Sequence, residues 1–397
     1  MMYMTLMRMK SGDHPLYQNN MKSNFLLIGD KKGKRLKEFV NCLKSENIYN
    51  YNIVTWQDLL INLDIIKKHI HSNTIIKIEP PEKDLYLYKS FLKVGLKKGI
   101  VSSKEIDNID FEKCPIIAPA QWYCGIKEMF YGIEDIVNAN KGKNIFMTTN
   151  IKETLIMMDK KLTYDFLEEN IKDFYLPKRL KNYKDYDEFR EDTANKYLKC
   201  FIKLRYGSGS EGVIAYSNNP RLNEEIIYTS LNYSKEEKIF FSTYKVNCIK
   251  DKDIIKKMID WVLENDAHIE MWIPKSKYKG QAYDTRVIVV NNKVEYLLSR
   301  LSKTPITNLH LRNNRLESER FIEPKNIEII KKASESVMKA FNNSFISGID
   351  VVMSTGNKPY IIDVNPFGDL LHHLIGTEKN IYYKEIEESI KKLGEIL

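Results

Sequence analysis

Short apolar runs alternate with amphipathic stretches along the first third of the chain. Residues 24–30 (NFLLIGD) predict a buried strand, and the spacing of apolar positions over 31–43 predicts a helix directly after it. Residues 51–56 (YNIVTW) and 74–78 (TIIKI) predict two further strands with helical segments between them. Alternating strands and helices are typical of parallel sheets. We therefore expect residues 23–150 to form a small parallel-sheet α/β domain.

Strand patterns dominate from about residue 195 onward, after a helix predicted over 157–170. Three strand-turn-strand signals follow, at 200–205 with 213–216, at 284–290 with 293–298, and at 346–353 with 359–364. Strands joined by short turns pair antiparallel, so this half predicts an α+β unit. We place the boundary near residue 150 and expect a second domain over 151–397.

Composition and charge limit the function classes. The 397 residues are 43% hydrophobic and 29% charged, with 17 glycines and 12 prolines, which is the balance of a globular protein and not of a disordered or fibrous one. The net charge of +9 is spread over separate lysine-rich stretches. Because no zinc-finger, RNP or helix-turn-helix signature accompanies it, solvated helix faces explain this charge better than a nucleic-acid surface does.

The cysteines and the apolar runs indicate where in the cell the protein is expected. The five cysteines are far apart and form no C-x-x-C pair, so neither a disulfide framework nor a zinc site is indicated. The longest apolar runs, such as 287–290, are too short to span a bilayer, and no signal-peptide pattern opens the chain. We predict a cytoplasmic protein without membrane contact. Residues 1–22, with five methionines in the first nine positions, predict a disordered tail.

A glycine-rich segment follows Lys203 at the turn of the first predicted strand pair. Its small residues are Gly207, Ser208, Gly209, Ser210 and Gly212. Glycines let the backbone close around a bulky anion, exposed amide groups donate hydrogen bonds, and a nearby lysine adds positive charge. The Walker pattern is absent. A phosphate site and an ordinary tight turn explain this segment about equally well.

Two carboxylates and an amide recur inside the last strand pair. Asp363 and Asn365 are two residues apart and so point to the same face, and Asp350 can reach that face from the neighbouring strand. An all-oxygen set of this kind suits Mg²⁺. A simple Asp/Asn turn is the alternative, but it is less favoured because charges inside apolar strands are costly to bury without a cation.

Two arginines and an asparagine complete the candidate chemistry. Arg286 lies in one strand of the middle pair, Arg300 follows its partner strand, and Asn308 lies in the segment beyond. Arginines at strand ends can bind phosphate or carboxylate through two parallel hydrogen bonds. Taken singly, each arginine is more often part of a surface salt bridge. The evidence for a functional site is therefore the order in which the glycine-rich segment, these arginines and the Asp/Asn set occur along the chain.

Residues 150–380 resemble the ATP-grasp superfamily, of the glutathione-synthetase and RimK-like ligase type. The matching motifs, in family order, are Asp159-Lys160, Phe201-Ile-Lys203 with the glycine-rich segment, Ile269 to Pro274, Asp284-Thr-Arg286, Arg300, Asn308, Asp350 and Asp363-Val-Asn365. The resemblance implies a pre-ATP-grasp-like amino-terminal domain and a two-lobed ATP-grasp domain, with a lid-like lobe at about 195–270 and a metal-binding lobe at about 271–397.

The resemblance also implies roles for single residues. Lys160 and Lys203, with the glycine-rich segment, would bind ATP, and Arg286, Arg300 and Asn308 would act on the transferred phosphoryl group. The adenine-reading hinge would be Glu270, Met271, Trp272 and Ile273, and the ligands of two Mg²⁺ ions, with Mn²⁺ as an alternative metal, would be Asp350, Asp363 and Asn365. The chain departs from the family pattern where Met271 aligns with the hinge glutamate and Asp363 with a metal-site glutamate.

The activity implied by the resemblance is an ATP-dependent carboxylate–amine ligase. A substrate carboxylate would attack the γ-phosphate to form an acyl phosphate and ADP, and an amine would then displace phosphate. Small molecules or peptides would supply the carboxylate and the amine, and homodimers are frequent among such enzymes. Two alternatives remain open: an ATP-grasp kinase acting on a hydroxyl group, and a catalytically inactive nucleotide-binding protein.

Overall fold

The computed structural model describes residues 23–81, 84–110, 115–308, 314–369 and 380–396, and within these ranges the chain forms three sheets flanked by helices. The predicted tail, residues 1–22, lies outside the described residues. No described helix is both long enough and apolar enough to cross a bilayer.

The first sheet is parallel, as predicted, with strand order β2-β1-β3-β4. Its strands are β1 (Asn24–Gly29), β2 (Tyr51–Thr55), β3 (Thr74–Ile78) and β4 (Ile145–Met147). The helices of this part are α1 (Lys34–Ser45), α2 (Trp56–Ile61), α3 (Leu85–Val94), α4 (Ser103–Asp107) and α5 (Pro119–Asn138). Apolar clusters cover both faces of the sheet. This explains why β1 and β3 are buried at every position instead of alternating.

The second sheet is antiparallel and five-stranded, with order β8-β7-β6-β5-β9. Its strands are β5 (Leu198–Leu204), β6 (Ile214–Asn219), β7 (Glu224–Ser234), β8 (Ile239–Ile249) and β9 (Ala267–Met271). Helices α8 (Tyr186–Thr193) and α9 (Lys252–Glu264) pack on one face through side chains such as Phe189 and Ile259. The opposite face of this sheet is not covered by these helices and faces the third sheet.

The third sheet is antiparallel, with order β13-β12-β11-β14-β15 and the short β10 paired to β11. Its strands are β10 (Lys277–Tyr278), β11 (Gln281–Val290), β12 (Lys293–Ser302), β13 (Asn314–Glu317), β14 (Ile346–Met353) and β15 (Pro359–Asn365). Helix α10 (Pro324–Ala340) covers one face. All three predicted strand pairs are confirmed, and the last pair matches its predicted limits to within one residue.

Three further helices complete the described part of the fold. Helices α6 (Ile151–Met157) and α7 (Lys160–Asn170) lie between β4 and β5 in the chain, and α11 (Ile381–Ile396) follows β15. The helix predicted over 157–170 is therefore wrong at its start, because Asp159 interrupts it and caps α7 through the amides of Lys161 and Leu162. Helix α11, at the end of the chain, packs into the core of the first sheet together with α1. The amino-terminal unit is thus completed by carboxyl-terminal residues.

Alternation along the third sheet separates its apolar and charged residues. Val287 and Ile349 face α10 within a buried cluster. Their neighbours Arg286 and Asp350 point to the opposite face, because successive side chains in a strand alternate. Both polar residues are nonetheless more than nine-tenths buried, so that face must supply partners for their charges.

A buried ionic cluster joins the first sheet to α11. Lys77 of β3 is 1% exposed, and its Nζ atom lies 2.5 Å from Glu385 Oε1 and 3.3 Å from Glu79 Oε1. Arg35 of α1 lies 2.5 Å from the other oxygen of Glu79, and Tyr382 donates a hydrogen bond of 3.0 Å to Glu79. The positive charges of Lys77 and Arg35 thus neutralise the negative charges of Glu79 and Glu385.

Removing Lys77 should therefore destabilise the protein strongly. Lys77→Met leaves two buried carboxylates with one cation, and breaking a buried pair costs about 3–5 kcal/mol. Urea denaturation measures the free energy of unfolding. The control is Lys67→Met, which removes the exposed Lys67–Asp64 pair and should change stability far less. Equal losses from the two variants would contradict the structural role assigned to Lys77.

Candidate functional site

A cavity lies between α7 and the open faces of the second and third sheets. Four of the predicted site residues, all of them charged, line this cavity: Lys160, Lys203, Glu270 and Asp363. The remaining lining residues are Thr163, Tyr164, Leu167, Leu176, Pro177, His268, Ile361, Ile362 and Val364. The two lysines predicted to bind the same ligand thus open onto one cavity, although they are 43 positions apart in the sequence (203 minus 160).

Lys160 is the first residue of α7, and the structure places it between two predicted motifs. Its Nζ atom donates a hydrogen bond of 2.8 Å to the carbonyl of Gly207 and lies 3.8 Å from Asp363 Oδ1. The preceding Asp159 caps the helix and accepts two hydrogen bonds of 2.7 Å from Arg205. This anchoring positions Lys160 between the glycine-rich segment and β15.

Lys203 of β5 forms an ion pair with Glu270 of β9, at 2.5 Å between Nζ and Oε1. Burial opposes ionisation of Glu270, but the charge of Lys203 and the hydrogen bond from His268 outweigh it and lower the pKa of Glu270 to about 2. Glu270 is therefore a buried carboxylate. The sequence suggested backbone contact with a nucleotide here but did not reveal the ion pair, which depends on the β5–β9 register.

The glycine-rich segment turns sharply between β5 and β6. Gly209 and Gly212 have φ values of 59° and 61°, and Ser210 has 69°, which is backbone that glycine adopts without steric cost. A Cβ atom on Gly207 would lie 2.9 Å from the carbonyl of Glu211. Ser208 accepts a backbone hydrogen bond of 3.0 Å from Glu211. The segment is a tight turn beside the Lys160 side chain, so the two sequence interpretations are compatible.

The predicted hinge, Glu270 to Ile273, runs from the end of β9. The amide of Met271 donates to the carbonyl of Lys178 at 2.9 Å, and the amide of Trp272 donates to the carbonyl of Lys199 at 3.0 Å. Both amides are thus used within the protein. A nucleobase would have to bind through other groups of this segment, a restriction that the sequence does not show because residues 176–180 are distant in the chain.

Arginine and carboxylate side chains lie beside one another across four strands of the third sheet, β12, β11, β14 and β15. Arg286 pairs in register with Asp350, and Asp350 pairs with Asp363. The Nε atom of Arg286 lies 2.7 Å from Asp350 Oδ1. Arg300 binds both oxygens of Asp284, at 2.8 and 2.6 Å, and lies 2.9 Å from Asp350 Oδ2. Two guanidinium groups therefore hold Asp350 from one side.

The proposed metal ligands lie on one face of the β14–β15 pair. Asp350 is opposite Asp363, and Gly348 is opposite Asn365. The Nδ2 atom of Asn365 donates 3.0 Å to the carbonyl of Gly348, which directs its oxygen away from that bond. No cluster of three or more His, Cys, Asp or Glu that could hold a metal ion occurs in the described ranges. Two carboxylates and an amide oxygen fit Mg²⁺ provided that phosphate or water oxygens complete the shell.

Gly348 has a role that the sequence did not indicate. A Cβ atom at this position would lie 2.9 Å from a terminal nitrogen of Arg286 and 3.2 Å from the carbonyl of Gly368. Any side chain would displace one of these groups. The guanidinium of Arg286 thus occupies the space beside β14 that the glycine leaves open.

Lys275 is a second residue that sequence reasoning missed. It is buried beside β10, and its Nζ atom donates to Thr307 Oγ1 at 2.6 Å and to the carbonyl of Pro305 at 3.1 Å. Thr307 donates in turn to Asp284 at 2.5 Å. Lys275 therefore holds the segment that leads into Asn308. Its only sequence signal is a lysine directly after the apolar stretch MWIP.

The stability contributed by Lys275 should depend on pH. Burial lowers the pKa of Lys275 from 10.5 to about 8, so between these values the unfolded chain binds more protons than the fold. Stability from this group therefore rises with pH across that window, by about 3 kcal/mol. In urea denaturation across the window, the wild-type free energy of unfolding should rise relative to that of Lys275→Met. A constant difference, matching that of the exposed control Lys277→Met, would contradict the assignment.

Comparisons with known proteins show the fold. No protein-family model matches the sequence, and no curated protein matches it. Three solved structures align over 93% of this chain, and the first, D-cycloserine synthetase DcsG, is 8% identical, is covered over its whole length and has a TM-score of 0.53. The ADP complex of PurK, N5-carboxyaminoimidazole ribonucleotide synthetase, is 10% identical, is covered over 77% of its length and has a TM-score of 0.53. The ATP-grasp ligase PsnB complexed with minimal precursor, Mg and ADP is 9% identical, is covered over 96% of its length and has a TM-score of 0.51. The chain has the ATP-grasp fold, and the predicted fold class is confirmed.

Proposed function

We propose that this protein is an ATP-dependent carboxylate–amine ligase that forms an acyl phosphate and releases ADP and phosphate. One observation carries the proposal. Lys160 and Lys203 line a single cavity that also contains Asp363, and Asp363 lies opposite Asp350 in the register of β14 and β15. Cations for a polyphosphate and oxygen ligands for Mg²⁺ thus meet at one place. The ADP and Mg named in the PsnB structure, and the ADP named in the PurK structure, support this assignment.

The lysines and the glycine-rich segment would hold the triphosphate. Lys160 is 15% exposed and reaches the carbonyl of Gly207, so its ammonium lies where phosphate oxygens could replace that carbonyl. Lys203 lies deeper, against Glu270. Positioning and charge neutralisation supply most of the catalysis of phosphoryl transfer, and both are available here without a nucleophilic side chain.

Asp350, Asp363 and Asn365 would bind Mg²⁺. When bound there, the metal neutralises charge on the phosphate oxygens. The chain's own contribution is to orient these oxygens, because Asp350 is held by two arginines and Asn365 by the carbonyl of Gly348.

The two arginines would differ in role. Arg300 has 3% side-chain exposure and is committed to Asp284 and Asp350. Arg286 has 11% exposure, and its terminal nitrogen lies 3.6 Å from Asp369. Arg286 is therefore the better candidate to contact the transferred phosphoryl group and the acyl phosphate, whereas Arg300 positions the carboxylates. Asn308 remains the proposed side chain near the phosphates.

An ADP-release screen tests the proposal. Purified protein is incubated with Mg-ATP and panels of small-molecule and peptide carboxylates, each with and without amines. ADP release that requires both a carboxylate and an amine supports the ligase. Release with a hydroxyl compound alone would indicate the kinase, and release with no panel member would favour an inactive nucleotide-binding protein.

Replacing Lys160 should weaken nucleotide binding, whereas replacing its neighbour should not. Lys160→Met removes a cation from the cavity and should reduce affinity for Mg-ATP by about tenfold or more in isothermal titration calorimetry. Lys161 pairs with Asp266 at 2.5 Å and does not line the cavity, so Lys161→Met is the matched control. Equal affinities of the two variants would remove Lys160 from the proposed site.

Replacing Asp363 should abolish turnover while leaving the fold intact. Asp363→Ala should lower the rate of ADP release by about 100-fold or more, because charge stabilisation in phosphoryl transfer is lost. The side chain is 33% exposed, so the melting temperature should change little. Asp64→Ala, at an exposed ion pair, is the control. Equal ADP production by both variants would refute the metal assignment.

A further inference from the structure

Arg205 joins the start of α7 to the end of β5 and the turn before β9. Its Nε and Nη2 atoms donate hydrogen bonds to the two carboxylate oxygens of Asp159, each at 2.7 Å, and its Nη1 atom donates to Asp266 at 2.7 Å. All three nitrogens of the guanidinium group thus bind carboxylates of this chain. Because Arg205 does not line the cavity, its effect on a ligand there must pass through another residue.

The residue that connects Arg205 to the cavity is Lys160. The amide of Lys160, in the first turn of α7, donates to the carbonyl of Arg205 at 3.1 Å. Amides of a first helical turn have no partner within their helix, so this bond and the Asp159 cap attach the start of α7 to Arg205. The main chain and the side chain of Arg205 therefore both hold the backbone from which the Lys160 side chain extends.

The contact between Arg205 and Asp159 has a defined geometry. Asp159 has 1% side-chain exposure, and a planar guanidinium group that binds both oxygens fixes the distance and the orientation of the pair. Asp266 is 40% exposed, so its bond to Arg205 contributes less. Lys203, by contrast, lies within β5, which pairs with β6 on one side and with β9 on the other. Of the two cavity lysines, Lys160 is the one held through a side-chain pair.

We propose that Arg205 is a positioning residue of the nucleotide site, which holds Lys160 in place for phosphate through two parallel hydrogen bonds to Asp159. The inference rests on the proposed use of ATP. A lysine whose backbone moves more freely loses more conformational entropy when its ammonium binds phosphate. The role is one of geometry, because the charge of Arg205 is balanced by Asp159 and Asp266.

Geometry and charge predict opposite results for one substitution. Asp159→Asn keeps an oxygen that can cap α7 but breaks the double contact with Arg205, because an amide nitrogen cannot accept a hydrogen bond. It also removes a negative charge near a polyphosphate site, which by charge alone would strengthen binding. Through positioning, affinity for Mg-ADP should instead fall about three- to tenfold. Arg205→Lys, which keeps the charge but cannot form two parallel bonds, should show the same fall.

Isothermal titration calorimetry of the full-length protein with Mg-ADP measures these changes. The matched control is Glu225→Gln, at a similarly buried carboxylate of the second sheet that lies 2.8 Å from Arg190 and does not line the cavity. Its affinity should equal that of the wild type. Asp159→Asn is also combined with Lys160→Met. Because Arg205 acts through Lys160, the combined variant should bind no more weakly than Lys160→Met alone.

The outcomes separate this inference from the proposed function. Absence of Mg-ADP binding by the wild type overturns the proposed use of ATP. If the wild type binds, unchanged or tighter binding by Asp159→Asn, or wild-type affinity of Arg205→Lys, overturns the role of Arg205 while the nucleotide site stands. An equal loss in Glu225→Gln, or an equal further loss in the Lys160→Met background, does the same, because the effect would then not pass through Lys160.

A second variant covers the case in which Asp159→Asn does not fold. Asp159→Asn combined with Arg205→Met removes both charges of the pair, so neither residue leaves the other as an uncompensated buried charge. This variant should show the same three- to tenfold loss of affinity, again about the cost of ordering one long side chain. Wild-type affinity of this variant would refute the inference.

Discussion

Pairing of buried carboxylates with guanidinium groups across β11, β12 and β14 is the interaction on which the site depends. Asp284 and Asp350 are each more than nine-tenths buried, and such carboxylates persist as charges only with close cationic partners. Arg300 contacts both of them, and Arg286 contacts Asp350. Because the register of the strands sets these pairs, the sheet that forms the core also fixes the orientation of the charged side chains of the site.

The cavity is assembled from parts that belong to different cores. Lys203 and His268 come from the second sheet, Asp363 from the third, and Lys160 from α7 between them. The first sheet contributes indirectly, because Arg35 donates a hydrogen bond to the carbonyl of Phe367, two residues beyond Asn365. The ionic cluster around Glu79 holds Arg35 in place. The amino-terminal unit thus supports the segment that follows the proposed metal ligands.

Regular patterns made most of the architecture predictable. Period-two alternation and turn residues located β11, β12, β14 and β15, and the order of motifs indicated the ATP-grasp fold that the solved structures confirm. Irregular features were harder to predict. The start of α7 was wrong because a capping aspartate interrupts an otherwise continuous helical pattern. The buried lysine Lys77 gave no signal and Lys275 gave only its position after an apolar stretch, since the partners of both are remote in the chain.

By itself the sequence determined the periodicities, the chemical types of the candidate ligands and their order, because these depend only on neighbouring residues. Which groups meet was decided by the tertiary structure. Glu270 pairs with Lys203, and the amides of Met271 and Trp272 form hydrogen bonds within the protein. The physical reason is that hydrogen bonding and ion pairing act over a few ångströms, and only the packing of strands from distant segments brings groups within that range.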